Sequence, residues 1–219
     1  YALLFVLPAL SGLLLSFFNV KSFKLSTITF AGLENYATVL RNPYFSIAIK
    51  NTLLFAAVTT LGKVIFGMAL ALLVNQRFHG VNYMRTVFFL PAVLNNVAVG
   101  LVFRSMMHPS GLINQTLSAM GLDMLMHNWL TDAIFSCAFV EIWKWTGYTM
   151  VIFLAGLQSI DKTYYEAAQL DGATYWQQLR SVTIPLIMPA LNNAVVISVV
   201  GGLKVFDIVQ SLTNGGPGN

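Results

Sequence analysis

The residues of this chain that could do chemistry are polar side chains set inside apolar stretches. Asn95 and Asn96, then Glu141, Lys144, Trp145, Gly147 and Tyr148, then Asn192, Asn193, Ser198, Lys204 and Asp207 interrupt runs of Leu, Val, Ile and Phe. Hydrogen-bonding groups beside aromatic faces suit a sugar, whose C–H faces stack while its hydroxyls seek donors and acceptors. A structural reading stands beside that one. Asn and Ser also hold membrane helices together, and Trp and Tyr also settle at the membrane interface. Lys204 and Asp207, three residues apart, could share a helical face and pair, as could Glu141 and Lys144. Such neutralised pairs are the alternative to a proton relay. Lys63 has no local partner and would either snorkel or meet a carboxylate of another helix.

Other chemistries lack their residues. Gly62-Lys63 sits in an apolar run without the earlier glycine of a phosphate-cradling loop, so the chain carries no ATP site of that type and no enzymatic constellation. His79, His108 and His127 lack metal-site spacing. Cys137, the only cysteine, supports neither a disulfide framework nor a Cys-based metal motif. The net charge of +4 comes from Lys and Arg scattered singly, which form no nucleic-acid-binding stripe.

The elements that position these residues follow from composition. Of 219 residues only 9% are charged and 57% are hydrophobic, and the mean hydropathy is +0.71. A soluble domain carries about 25% charged residues, so the lipid bilayer is the expected solvent. A helix needs about 20 apolar residues to cross about 30 Å of hydrocarbon. Five stretches qualify, over about 1–18, 52–74, 86–103, 133–157 and 185–209, giving an all-α polytopic helical bundle in one transmembrane unit, residues 1–219. The run from Tyr1 has no charged leader or cleavage site and reads as a span, not a signal peptide. Thr213-Asn214-Gly215-Gly216-Pro217 reads as a helix stop, and an odd span count makes a sixth span beyond Asn219 the expectation. Arg77, Arg85, Lys162 and Arg180 lie in loops 75–85 and 159–184. Lys21, Lys24, Arg41 and Lys50 lie in or beside the longer loops 20–51 and 105–132. The denser first set leans towards the cytoplasm, although Arg104 nearly erases the difference.

Loop 159–184 is the most informative stretch. Asp161 is a candidate helix N-cap, Ala167, Ala168 and Leu170 are helix formers, and Gly172 permits a turn with positive φ. A second short helix follows from Thr174, and Pro185 opens the next span, where its missing N–H costs little. Glu166-Ala167-Ala168, then Gly172, then Val182-Thr183-Ile184-Pro185 after nine more residues resembles the EAA loop of binding-protein-dependent ABC importer permeases. Val182 and Ile184 are apolar swaps for the Ile and Leu of that pattern. Gly32-Leu33-Glu34-Asn35-Tyr36, Asn51-Thr52, Leu90-Pro91 and Leu212-Thr213-Asn214-Gly215-Gly216-Pro217 are similar to its carbohydrate-importing branch, of the maltose and glycerol-phosphate type.

The resemblance implies a type I ABC importer permease of the inner membrane for a sugar or oligosaccharide. It implies work with a second permease subunit, two ATPase subunits that bind ATP and Mg, and an extracytoplasmic solute-binding protein. Loop 159–184 would be cytoplasmic, with Glu166, Ala167, Ala168, Asp171 and Gly172 as the element that docks on an ATPase. The substrate path would include Asn95, Asn96, Trp145, Gly147 and Tyr148, with Ser198, Gly202 and Val205 on the fifth span. A gradient-driven carrier or channel, with Glu141 or Asp207 as its ion-coupling group, is the rival reading, and an ABC importer for an amino acid or peptide is a third.

Overall fold

The computed structural model describes residues 2–20, 28–76 and 78–215. Tyr1, Lys21, Lys24, Arg77 and Gly216-Pro217, all given roles above, lie outside the described residues. The fold is mostly helical, and the chain divides into two compact units, residues 1–50 and 51–219.

In the first unit a π-helical turn (Ala2–Val6) leads into α1 (Leu7–Leu15). The expected span 1–18 therefore stops three residues early, and Phe18–Val20 (β1) pairs antiparallel with Ile28–Phe30 (β2). These strands were not foreseen, since three residues carry no readable alternation. Gly32, at φ +54°, turns the chain into α2 (Glu34–Arg41). The Asn35 amide then donates to the Ser16 and Phe18 carbonyls at 3.0 and 3.1 Å.

α3 (Pro43–Val74) begins nine residues before the expected Thr52. The Asn42 carboxamide accepts from the Tyr44 N–H at 3.0 Å and Pro43 takes the first helical position, so the start signal lies there and Asn51-Thr52 is helix interior. At 32 residues, α3 is the one described helix long and apolar enough to cross a membrane alone.

The second unit contains α4 (Val81–Val93), α5 (Asn96–Met107), α6 (Leu112–Ala119), α7 (Ala133–Gln158), α8 (Lys162–Leu170), α9 (Tyr175–Gln178), a π-helical turn (Leu179–Thr183), α10 (Ile184–Leu186), α11 (Met188–Leu203) and α12 (Asp207–Thr213). The expected third span, 86–103, is not one straight helix. Its two arms, Val81–Val93 and Asn96–Ala119, meet at 95°. The expected fifth span, 185–209, bends by 67° between Tyr175–Leu186 and Met188–Leu203, and its helix ends at Leu203. Each bent pair passes for a membrane span only if its two arms are counted together.

Close helix contacts explain this packing. A Cβ at Gly67 would meet Thr149 and the Met150 backbone on α7, and one at Gly62 would strike Ile142. Glycine thus lets α3 lie against α7, as small residues do where helices meet in lipid. Two buried clusters fill the unit: Phe55, Val99, Met107, Cys137, Val140, Ile208 and Leu212 towards one end, and Ala71, Val74, Met150, Phe153, Leu157, Ile187 and Ala194 towards the other.

Candidate functional site

A cavity of about 380 Å³ opens where α3, α5, α7, α11 and the segment 204–208 converge. That volume falls within the range of roughly 300–1,000 Å³ usual for small-molecule sites. Asn96, Trp145, Tyr148, Ser198 and Val205, named from the sequence, line it. The Trp145 and Tyr148 rings stand edge to face with centroids 6.0 Å apart, presenting an aromatic wall.

Asn95, Gly147 and Gly202 do not line this cavity, and each has a structural task. Asn95 caps α5, its carboxamide accepting from the Val97 and Ala98 N–H groups at 2.9 and 3.3 Å. That cap, four residues after Pro91, starts the second arm of the bend. Gly147 faces the α4 backbone at Phe88 and Phe89, where no Cβ fits, and Gly202 packs against Ala56, whose Cα lies 2.8 Å from the place a Cβ would take.

The charges pair differently from the sequence expectation. Lys63 of α3 reaches Glu141 of α7, with Nζ 3.4 Å from Oε1 and both side chains almost fully enclosed. Lys144, the expected partner of Glu141, instead donates to the Ala92 carbonyl at 3.1 Å and lies 4.4 Å from the Trp145 ring centroid. Ala92 belongs to the last turn of α4, whose carbonyls lack intrahelical donors and attract cations. Lys204 and Asp207 form no ion pair, because α11 ends at Leu203 and the helical spacing is lost. Asp207 instead accepts from the Asn96 amide at 3.2 Å, joining α12 to the start of α5. Lys63 thus meets a carboxylate of another helix, one of the two alternatives expected for it; the sequence did not name Glu141 because 78 residues separate the partners.

A second hydrophilic feature is the hairpin over 161–186. Asp161 caps α8 by accepting from the Thr163 N–H at 3.0 Å, and that bond holds its carboxyl below the ordinary aspartate pKa. Gly172, at φ +74°, ends α8, with the Gly172 N–H donating to the Gln169 carbonyl and the Ala173 N–H to that of Ala168. Thr174 and Gln177 form a capping box that starts α9. The Gln178 amide ties the turn to the Ala173 carbonyl at 2.9 Å, and the Tyr165 and Thr183 hydroxyls join the two arms at 3.0 Å. Glu166, Ala167, Asp171 and Gly172 are exposed and Ala168 is half-buried. Leu170 is 90% and Trp176 74% exposed, so the tip presents apolar knobs. The second arm runs from Tyr175 to Leu186 before the 67° bend, and α11 beyond the bend supplies Ile197, Ser198 and Gly201 to the cavity wall.

A helical bundle with a cavity lined by polar and aromatic side chains and an exposed hairpin joined to its wall is the architecture of a membrane permease. Residues 63–219 match the family described as binding-protein-dependent transport system inner membrane component, and the chain belongs to that family. A probable ABC transporter permease protein of Pyrococcus horikoshii is 34% identical over 100% of this chain and 80% of its own length. A lactose transport system permease protein of Rhizobium radiobacter is 35% identical over 97% of this chain and 72% of its own. A trehalose/maltose transport system permease protein of Thermococcus litoralis is 35% identical over 86% of this chain and 65% of its own. Among solved structures, a bacterial ABC transporter involved in the import of the acidic polysaccharide alginate has a chain that matches with a TM-score of 0.77 and 27% identity, over 97% of this chain and 76% of that one. This chain is thus an ABC importer permease of the inner membrane.

Proposed function

We propose that the chain conducts a sugar or oligosaccharide across the membrane as one permease of a type I importer, with a second permease, two ATPase subunits and an extracytoplasmic binding protein. The partners supply the ATP and Mg site. The cavity bounded by Asn96, Trp145, Tyr148, Ser198 and Val205 is the substrate path, since it sets an aromatic wall beside hydrogen-bonding groups. The hairpin is the coupling element. Ala167 and Ala168 allow close approach of an ATPase groove, Gly172 permits the turn, and Glu166 and Asp171 offer charge at its edge.

The observation that carries this reading is the covalent path from the exposed hairpin to the cavity wall. The arm Tyr175–Leu186 leads through a single bend into α11, so a displacement of α8 is delivered to Ser198. The lactose and trehalose/maltose of those relatives' names support the substrate class. The test is co-purification of the ATPase, together with uptake of a panel of lactose, maltose, trehalose and arabino-oligosaccharides, for wild type and Ala168→Trp. The expected result is loss of both association and uptake in the variant. Unchanged association and uptake would refute the coupling assignment.

A further inference from the structure

We propose that the chain carries a binding site for the phosphate of an anionic phospholipid, between the end of α3, the start of α4 and the base of the hairpin. A second cavity, of about 810 Å³, lies there, and Arg85 of α4, Lys162 of α8 and His79 of the segment between α3 and α4 all line it. It shares no lining residue with the candidate substrate path. No carboxylate lines it, and among the described residues neither Arg85 nor Lys162 forms an ion pair. The Asp161 carboxylate, next in sequence to Lys162, is committed to the Thr163 N–H. Two cations and an imidazole around one recess, with no anion of the chain's own, favour a phosphate, whose oxygens accept charge-assisted hydrogen bonds.

Neither cation is accounted for by the fold around it. Arg85 donates to the Val74 carbonyl at 2.7 Å and to the Asn82 carboxamide at 3.4 Å, yet its Nε–H is enclosed without an acceptor, so the guanidinium keeps donors to spare. Lys162 takes the first position of α8, where the helix dipole disfavours a positive charge. The location selects a lipid over a free anion. The membrane-crossing helix α3 ends at Val74 and the cavity lining begins at Asn75, which places the recess at the depth of the headgroups. Phe78, Val81 and Ile160 line the same cavity without being fully buried, so apolar surface adjoins the cations. Phosphate beside hydrocarbon is the chemistry of a phospholipid, and basic recesses among membrane helices hold such headgroups. Lys162 and Tyr165 belong to α8 whereas Arg85 belongs to α4, so a bound headgroup ties the first arm of the hairpin to the bundle.

The test titrates the complex, purified with its partner subunits in a neutral detergent, with phosphatidylglycerol, with phosphatidylcholine of the same acyl chains, and with inorganic phosphate alone, bound lipid being counted by native mass spectrometry. Wild type is expected to bind its first phosphatidylglycerol at least about fivefold more tightly than phosphatidylcholine. Lys162→Gln should weaken phosphatidylglycerol about fivefold, the effect of one cation near a lipid surface, and leave phosphatidylcholine unchanged, whereas Lys162→Arg should keep the preference. If Lys162→Gln does not assemble, His79→Gln, at an exposed position, is read in the same way. Equal affinity of wild type for the two lipids, or a preference unchanged in the Gln variant, overturns the inference. Inorganic phosphate bound through Lys162 without any preference between the lipids makes this a site for a free anion and overturns the lipid. Loss of the ATPase from Lys162→Gln with the lipid preference intact makes the cavity a protein contact and overturns it too. Lipid binding is read without sugar uptake, so failure here leaves the functional reading standing.

Discussion

At the scale of single residues, close packing and capping explain positions that sequence alone would give to substrate. Asn95 is a helix cap, so Asn95→Ala should lower stability by about 1 kcal/mol and Asn95→Asp should restore most of it. Thermal unfolding in detergent measures both, and a loss of stability equal in the two variants would refute the cap. Gly147 lies against the α4 backbone at Phe88, which cannot yield as a flexible side chain could. Gly147→Ala is therefore expected to cost about 1–3 kcal/mol by overpacking, visible as a lower unfolding midpoint and poorer accumulation. A variant as stable as wild type would show that α4 and α7 are less tightly apposed than described. Polar character was legible at these positions, but direction was not: Asn95 and Asn96 are adjacent, and helix geometry turns one to a cap and the other to Asp207.

At the scale of elements, the hairpin was the most legible part of the chain. Asp161 as cap, Gly172 as turn and a second helix from Thr174 all follow from residue types with local tasks, and the structure has each of them. Helix breaks were the least legible. Apolar runs continue through Leu94 and through Ile187, so hydropathy joined arms that caps and prolines separate. Gly172→Val would force a β-branched residue to φ +74°, and a left-handed conformation costs an L-residue about 1–2 kcal/mol. The expected outcome is loss of ATPase co-purification with the bundle still folded by circular dichroism; retained co-purification would remove the turn from the docking geometry. The hairpin should also respond to acid in one direction. The Asp161 carboxyl sits below its ordinary pKa when folded, so its cap is fully in place above the unfolded value and is lost as pH falls through the lower folded one. Local hydrogen exchange at Thr163 should therefore be insensitive to pH near neutrality, after correction for intrinsic rates, and should rise only in strong acid. A rise between pH 6 and 8 would contradict this.

At the scale of the whole molecule, the scarcity of charge has a structural counterpart in the second unit. Leu61, Ile65 and Phe66 on α3 are 62%, 61% and 56% exposed, and Leu101, Val102, Phe135 and Phe139 are more than half exposed. Such a surface belongs against lipid or other subunits. The charges of the second unit are arranged the other way: Lys63 and Glu141 are buried, and with Asn96 and Asp207 they line one cavity. The hairpin and that cavity are joined by one bent helical path, and the proposed function makes motion of the hairpin the means of reshaping the wall. The most direct measurement of that claim is sugar uptake into proteoliposomes holding this chain with its second permease and ATPase subunits, supplied with the binding protein. The account predicts uptake that requires ATP hydrolysis, needs no ion gradient and disappears in Ala168→Trp. Uptake driven by a Na⁺ or H⁺ gradient without ATP, with Ala168→Trp as active as wild type, would contradict it.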